Sequence, residues 1–326
     1  MLELSQSVSL EGIESAHAQL PSEIIDTPII KSMGLSRLLN CEVWIKAECI
    51  GPIASFKARG SLTAVQRALL SGSLSGAVTS STGNHGQGVA YAARRCGVGA
   101  HIFLANNATQ VKREMIEALG AKIYSFDGDI DATKDEAKKF ADEHQYLFVD
   151  DGESRDVIEG AGTVGLEIAR ALEGVDEIFV PMGSGSLASG AGLAAKSSQP
   201  SIRVVAVQAS GSPAMALSFE RRAPVEHDVD TVAEGLACRV PADLALSCVL
   251  KWVDESIIVS EEIILPAMVS MAESAHLLVE PSSAAAFAAA WQVRERISGK
   301  RVVLVATGGN ATPEVIRRAF AGPGLR

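Results

Sequence analysis

Four short polar clusters carry the residues of this chain whose types and spacing could do chemistry. They are Ser55-Phe56-Lys57-Ala58-Arg59-Gly60, Ser81-Thr82-Gly83-Asn84-His85-Gly86-Gln87, Gly183-Ser184-Gly185-Ser186-Leu187 and Thr307-Gly308-Gly309-Asn310. Each is turn-prone, and each falls between an apolar run and a helix-like stretch. Together they offer an amine, two anion cradles and a hydroxyl.

Each cluster also has a plainer reading. The loop at 183–187 follows an apolar strand and opens a helix, so its glycines and serines can present N–H and hydroxyl groups to an anion such as phosphate. It is neither a Walker loop, since no Gly-Lys-Ser/Thr follows, nor G-x-G-x-x-G. The same residues also suit a tight turn that packs a helix on a sheet. Ser81, Thr82, Gly83, Asn84 and His85 can hold a carboxylate with neutral donors, or serve as ordinary helix caps. Lys57 sits beside Phe56 and after a Gly-Pro break. In a partly apolar pocket such a lysine becomes a nucleophile or base, whereas in isolation a lysine is a solvated charge. Thr307 follows an apolar strand, at the end where α/β ligands sit, although it could also precede a capped helix.

The elements that must position these clusters alternate. Strands are expected at 42–46, 76–80, 100–104, 122–124, 177–181, 203–208 and 301–306. Several are nearly all apolar, as expected of parallel strands buried on both faces. Helices are expected at 87–95, 110–119, 133–143, 160–172, 187–195, 261–275 and 313–320. This alternation implies an α/β fold with a mainly parallel sheet. The best local breaks are Gly51-Pro52 and Asp150-Asp151-Gly152. They suggest a small domain, 51–149, inserted into a larger one built from 1–50 and 150–326, with a ligand between them.

Composition narrows the function classes. The 326 residues carry a net charge of −10, with no Lys/Arg-rich run. Nucleic acid and anionic membrane are therefore poor partners. Aromatic residues make up only 5%, which leaves Ala, Val, Leu and Ile to build the core. The five cysteines (41, 49, 96, 238 and 248) form no C-x-x-C pair. Free thiols in a reducing compartment are expected. Residues 1–20 lack the pattern of a secretory signal, and the Ala-rich stretch 282–291 is too short to span a bilayer. A cytoplasmic protein is expected.

In order and position, the four clusters resemble those of the fold-type II pyridoxal phosphate enzymes, specifically the serine/threonine dehydratase and serine racemase group. The resemblance runs from Thr27-Pro28 to Asn310. It includes Val157-Ile158-Glu159-Gly160-Ala161-Gly162-Thr163, Thr231-Val232-Ala233-Glu234-Gly235 and Val279-Glu280-Pro281. The group's Ser-Phe-Lys-x-Arg-Gly is met in full, whereas sulfhydrylase and threonine synthase relatives usually carry Asp after the lysine.

The resemblance implies a two-domain α/β fold, like the tryptophan synthase β subunit, with mainly parallel twisted sheets flanked by helices. It implies pyridoxal 5′-phosphate on Lys57 as a Schiff base, with Lys57 later acting as the base at Cα. Phe56 should lie against the ring, Asn84 should meet its 3′ oxygen, and Thr307 should face its nitrogen. Gly183, Ser184, Gly185, Ser186 and Leu187 should wrap the phosphate. Ser81, Thr82, Gly83, Asn84 and His85 should surround the substrate carboxylate.

The implied reaction removes water from a β-hydroxy-α-amino acid, giving a 2-oxo acid and ammonia, with the cofactor phosphate as proton source. Alternatives are a racemase, a β-replacement synthase and a non-catalytic ligand-binding relative. Thr82 is the candidate catalytic hydroxyl opposite Lys57, where racemases of the group carry serine. No metal site is expected, because Gln208 and Ala214 stand where some relatives place acidic ligands. A homodimer is implied.

Overall fold

The computed structural model describes residues 7–81, 83–105, 110–126 and 130–326. Two sheets organise it. Six strands form the first: β1 (Ile29–Lys31), β2 (Glu42–Ala47), β7 (Glu177–Pro181), β8 (Arg203–Ala209), β9 (Glu255–Val259) and β10 (Arg301–Ala306). Their order is β1-β2-β10-β7-β8-β9, and only β1 runs antiparallel to its neighbour. The second sheet is parallel throughout. It comprises β3 (Gly76–Ser80), β4 (Gly99–Ala105), β5 (Lys122–Phe126) and β6 (Leu147–Phe148), in the order β5-β4-β3-β6.

The central strands are largely apolar because helices cover both faces. Along β10, Val302, Leu304 and Ala306 enter one core, while Val303 and Val305 enter the other. The same alternation separates Phe179 from Ile178 and Val180 on β7. Side chains that alternate across a pleated strand require this when neither face meets water. In the second sheet, Ile102 and Leu104 face one core and Phe103 faces another. The cores are mostly Ala, Val, Leu and Ile, as expected of a chain with few aromatics.

All seven expected strands are present. β1, β6 and β9 were not anticipated. The first two are only 3 and 2 residues long, too short for a periodic signal. The seven expected helices are also present, all but α11 (Glu261–Ala275) with shifted ends. The largest shift is at α7 (Arg155–Ala171), which starts five residues before the expected 160, with Ser154 accepting from Val157 N–H as its cap. Val157 and Ile158 obscure that start, because β-branched residues lower helix propensity, and the helix then runs on through glycines at 160, 162 and 165.

Those glycines serve packing. α7 lies between α3 (Lys57–Ser71) and α8 (Ser186–Ser198). A Cβ on Gly160 would come within 2.6 Å of the Arg59 carbonyl, and one on Gly60 within 2.6 Å of the Val157 carbonyl. On the other side, a Cβ on Gly165 would fall onto the Ala191 carbonyl. Backbones therefore touch along both seams. The helix carrying Lys57 and the helix opened by the glycine loop are clamped to one common helix.

Candidate active site

Every expected cluster follows a parallel strand. Lys57 comes after β2, Ser81 to His85 after β3, Gly183 to Leu187 after β7, and Thr307 after β10. The C-terminal ends of parallel strands are where open α/β sheets bind ligands.

The clusters are tied to one another directly. Ser55 and Gly308 form an antiparallel bridge. Phe56 N–H donates to the Thr307 carbonyl (3.1 Å), and Gly309 N–H donates to the Ala54 carbonyl (2.9 Å). The lysine turn and the threonine loop are thus zipped through their backbones. Asn310 Nδ2 donates to Asn84 Oδ1 (2.7 Å), which joins the second cluster to the fourth. Asn84 Nδ2 donates to Glu280 Oε1 (2.8 Å). The Asn84 amide is therefore held by its oxygen and one N–H, and these bonds leave its second N–H unused.

Lys57 is the first residue of α3, and its side chain is only 13% exposed. Its ammonium stands 4.8 Å from the Phe56 ring centroid. It donates to both carboxylate oxygens of Asp151, at 2.5 Å to Oδ1. Asp151 in turn accepts from Ser184 Oγ (2.8 Å) and Ser186 Oγ (3.3 Å). Burial pushes the Asp151 carboxyl up, but the charges of Lys57 and His85 outweigh it and hold it below the usual carboxylate range. Lysine and glycine loop therefore meet through an acid that the sequence offered only as a break point. Two adjacent aspartates after a short strand were the available signal.

His85 is buried, and its Nε2 lies 3.0 Å from the Val149 carbonyl. A carbonyl only accepts, so Nε2 carries the hydrogen. The other nitrogen, Nδ1, is buried without a hydrogen-bond partner among the described residues and lies 3.6 Å from Asp151 Oδ1. Burial, reinforced by Lys57, lowers the ring below an ordinary imidazole against the pull of Asp151. Ser81 Oγ accepts from Gly83 N–H (3.3 Å), and Gly83, not a hydroxyl residue, occupies the N-cap of α4 (Asn84–Cys96). Thr82 lies outside the described residues.

The glycine loop has the shape of an anion cradle. Gly185 caps α8 at φ +95°, a left-handed conformation that favours glycine. A Cβ on Gly183 would come within 2.6 Å of the Gly235 carbonyl. Leu187 is buried in the core beneath, while the N–H groups of the first turn have no intrahelical acceptor. Thr307 is buried and shares a 3.0 Å hydrogen bond with Ser283, a residue the sequence reading missed. Two neutral hydroxyls therefore sit at that strand end.

Arg59, quoted in the first motif without a role, anchors the first turn of α3. It is fully buried and grips Glu48 through Nε and Nη2, both at 2.8 Å. Nη1 donates to Thr163 Oγ1 (2.8 Å) and to Glu167 on α7. Lys46 pairs with Glu167 and donates to the Thr27 carbonyl (2.8 Å). Two buried cations balance two buried carboxylates, and the set fixes β2, α3 and α7 around Lys57.

An amine on an aromatic ring, a hydroxyl-rich anion cradle and an unpartnered histidine nitrogen suit a phosphorylated carbonyl cofactor. That combination on this fold defines a pyridoxal-phosphate dependent enzyme. Comparison with known proteins agrees, since residues 20–308 match the family described as pyridoxal-phosphate dependent enzymes. The chain is 33% identical over 312 residues to an L-threonine ammonia-lyase of Thermotoga maritima, covering 95% of this chain and 78% of that one. It is 35% identical over 314 residues to a catabolic L-threonine dehydratase of Staphylococcus aureus, covering 95% and 91%. Maize serine racemase superposes with a TM-score of 0.89 at 28% identity, over 96% of this chain and 97% of that one. The chain belongs to the pyridoxal-phosphate dependent enzyme family, within its serine/threonine dehydratase and serine racemase group, and has the fold-type II architecture.

Proposed function

We propose that the protein is an ammonia-lyase that removes water from a β-hydroxy-α-amino acid of the serine or threonine type. The products are a 2-oxo acid and ammonia. The observation that carries this reading is Lys57 at the head of α3, held against Phe56 and beside the cradle at 183–187. The elimination activities named for relatives at 33% and 35% identity support it.

Bound pyridoxal phosphate supplies an electron sink that acidifies the substrate's Cα proton. The remaining work falls to this chain's residues. Ser184, Ser186 and the N–H groups of Gly183, Gly185 and Leu187 would hold the phosphate. Lys57 would carry the cofactor and serve as the base toward the Cα proton. Phe56 would lie against the ring. Asn84, held by Asn310 and Glu280, would offer its remaining N–H to the ring's 3′ oxygen. Ser81, Thr82, Gly83 and His85 take the substrate carboxylate. Thr307 would offer the ring nitrogen a neutral hydroxyl in place of a charged partner, which would favour prompt loss of the β-group.

The reading includes a division of labour. Residues 51–149 bear the carboxylate loop, while 1–50 and 150–326 bear the phosphate cradle and Thr307. It also includes a cytoplasmic setting and a homodimer. Among the described residues no helix is long and apolar enough to cross a membrane.

Racemisation is the second reading, favoured by the superposition on maize serine racemase. A panel of L-serine, L-threonine, hydroxyaspartate and aryl-serines, assayed for 2-oxo acid and ammonia, tests the proposal. Equimolar oxo acid and ammonia from at least one of them is expected. Turnover only with an added thiol or amine would point to β-replacement, and none at all to a binding protein.

A further inference from the structure

We propose that Glu280 and Asn310 are positioning residues that act through Asn84. They turn its amide the right way round for the ring's 3′ oxygen, and they clasp the loop at 81–85 to the loop that bears Thr307. This rests on the place given to Asn84 in the proposed function, and the experiment below tells the two apart.

The ends of a hydrogen-bond chain fix its direction. Asn310 Nδ2 donates to the Ile53 carbonyl (2.8 Å) and to Asn84 Oδ1 (2.7 Å). A carbonyl only accepts, so both hydrogens of the Asn310 amide are spent, and Asn84 must meet the second with its oxygen. At the other end Asn84 Nδ2 donates to Glu280 Oε1 (2.8 Å), and a carboxylate also only accepts. Turning either amide over would set oxygen against oxygen. Asn84 is left with one N–H that its own oxygen cannot replace.

Glu280 is itself held in place. It is buried, it is the N-cap of α12 (Pro281–Gln292), and its N–H donates to the Gly308 carbonyl (3.1 Å). A Cβ on Gly308 would lie 2.7 Å from Glu280 Oε1. The carboxylate is therefore packed under the Thr307 loop and transmits the position of that loop to Asn84.

The same bonds join the two sheets. Asn84 opens α4 just after β3 of the second sheet, whereas Asn310 follows β10 of the first and Glu280 precedes α12, which packs on that sheet. A clasp alone would work with bonds of either direction. The ring requires this direction, because an N–H stabilises negative charge on the 3′ oxygen and an amide oxygen opposes it.

The test reverses the chain. Asn310→Asp swaps two donors for acceptors at nearly unchanged size. Asn84 satisfies the new carboxylate only by turning over, which sets its oxygen against Glu280. Adding Glu280→Gln supplies a donor for that oxygen, so the double variant rebuilds the clasp with opposite polarity. Each protein is first saturated with cofactor. In Asn310→Asp the visible band of the cofactor should fall and a near-ultraviolet band should grow. Hydrogen exchange at residues 84–90 should quicken. The KM for whichever amino acid the wild type turns over should rise by about tenfold, as loss of one hydrogen bond allows. The double variant should regain slow exchange and the wild-type melting temperature, but not the visible band.

Asn310→Ala, which removes both donors and adds no charge, should give the same change of band if the Asp variant folds poorly. An unchanged band in both Asn310 variants would overturn the proposal. A double variant that regained the band together with slow exchange would also overturn it, since the role would then be structural alone. Asn84→Ala separates the two claims. An unchanged band there would remove Asn84 from the ring, and the proposal with it. A band that changes in Asn84→Ala but in neither Asn310 variant would overturn the clasp and leave the place of Asn84 standing.

Discussion

Single side chains in this site are defined by what pins them. Thr307 is buried beside Ser283, and its backbone is tied to the lysine turn through Phe56. An acid at that position would impose a charged partner on the ring nitrogen and lengthen the life of the carbanion. Thr307→Asp should retain bound cofactor, visible as yellow colour, while its elimination rate falls by at least about tenfold, some 1.4 kcal/mol in the barrier. Steady-state oxo-acid assays beside absorbance spectra measure both, and undiminished turnover would remove Thr307 from the site. Much at this scale was legible in the sequence, because Lys57, Asn84, Ser184 and Thr307 belong to motifs of fixed order. Asp151, Glu280 and Ser283 were not singled out. Their importance comes from tertiary contacts with Lys57, Asn84 and Thr307, at sequence separations of 94, 196 and 24, which no local pattern reveals.

Elements position these residues through close backbone contact more than through side-chain bulk. α7 touches α3 through Gly160 and α8 through Gly165, so its sequence has an interior of small residues and a weak helix signal. Its start at Arg155 is hard to read because Val157 and Ile158 are β-branched, whereas α11 (Glu261–Ala275) and strands 76–80, 177–181 and 301–306 are legible to the residue. The strands are legible because burial on both faces makes them apolar runs bounded by turns. The seam itself makes a strong prediction. Gly165→Val would drive its side chain into the Ala191 backbone and separate α7 from α8. Overpacking of this kind costs about 1–3 kcal/mol. The variant should show a lower melting temperature and, because α8 bears the cradle, weaker cofactor binding. Equal stability to wild type in thermal unfolding would mean that the helices do not meet as closely as described.

At the scale of the molecule, a buried charge set couples folding to the position of Lys57. Burial pushes the Glu167 carboxyl up, but Arg59 and Lys46 outweigh it and lower it from 4.5 to about 2. As pH falls, the unfolded chain takes up this proton before the folded chain does. The stability from Glu167 is therefore whole above about 4.5 and is lost as pH falls toward about 2. Thermal midpoints should be level from neutral pH down to that window and then drop. Glu167→Gln should be less stable at neutral pH, with a shallower acid limb, and an unchanged limb would place the coupling elsewhere. Two sheets, one common helix and this charge set together hold an amine, an acid and an anion cradle in one cleft. The account turns on the reaction that cleft performs. One mixture of holoenzyme with an L-β-hydroxy amino acid, analysed for 2-oxo acid and by chiral chromatography, measures it most directly. Oxo acid and ammonia in equal amounts, exceeding the D-enantiomer by more than about tenfold, is the predicted result. Comparable amounts of D-enantiomer and oxo acid would contradict it and identify a racemase.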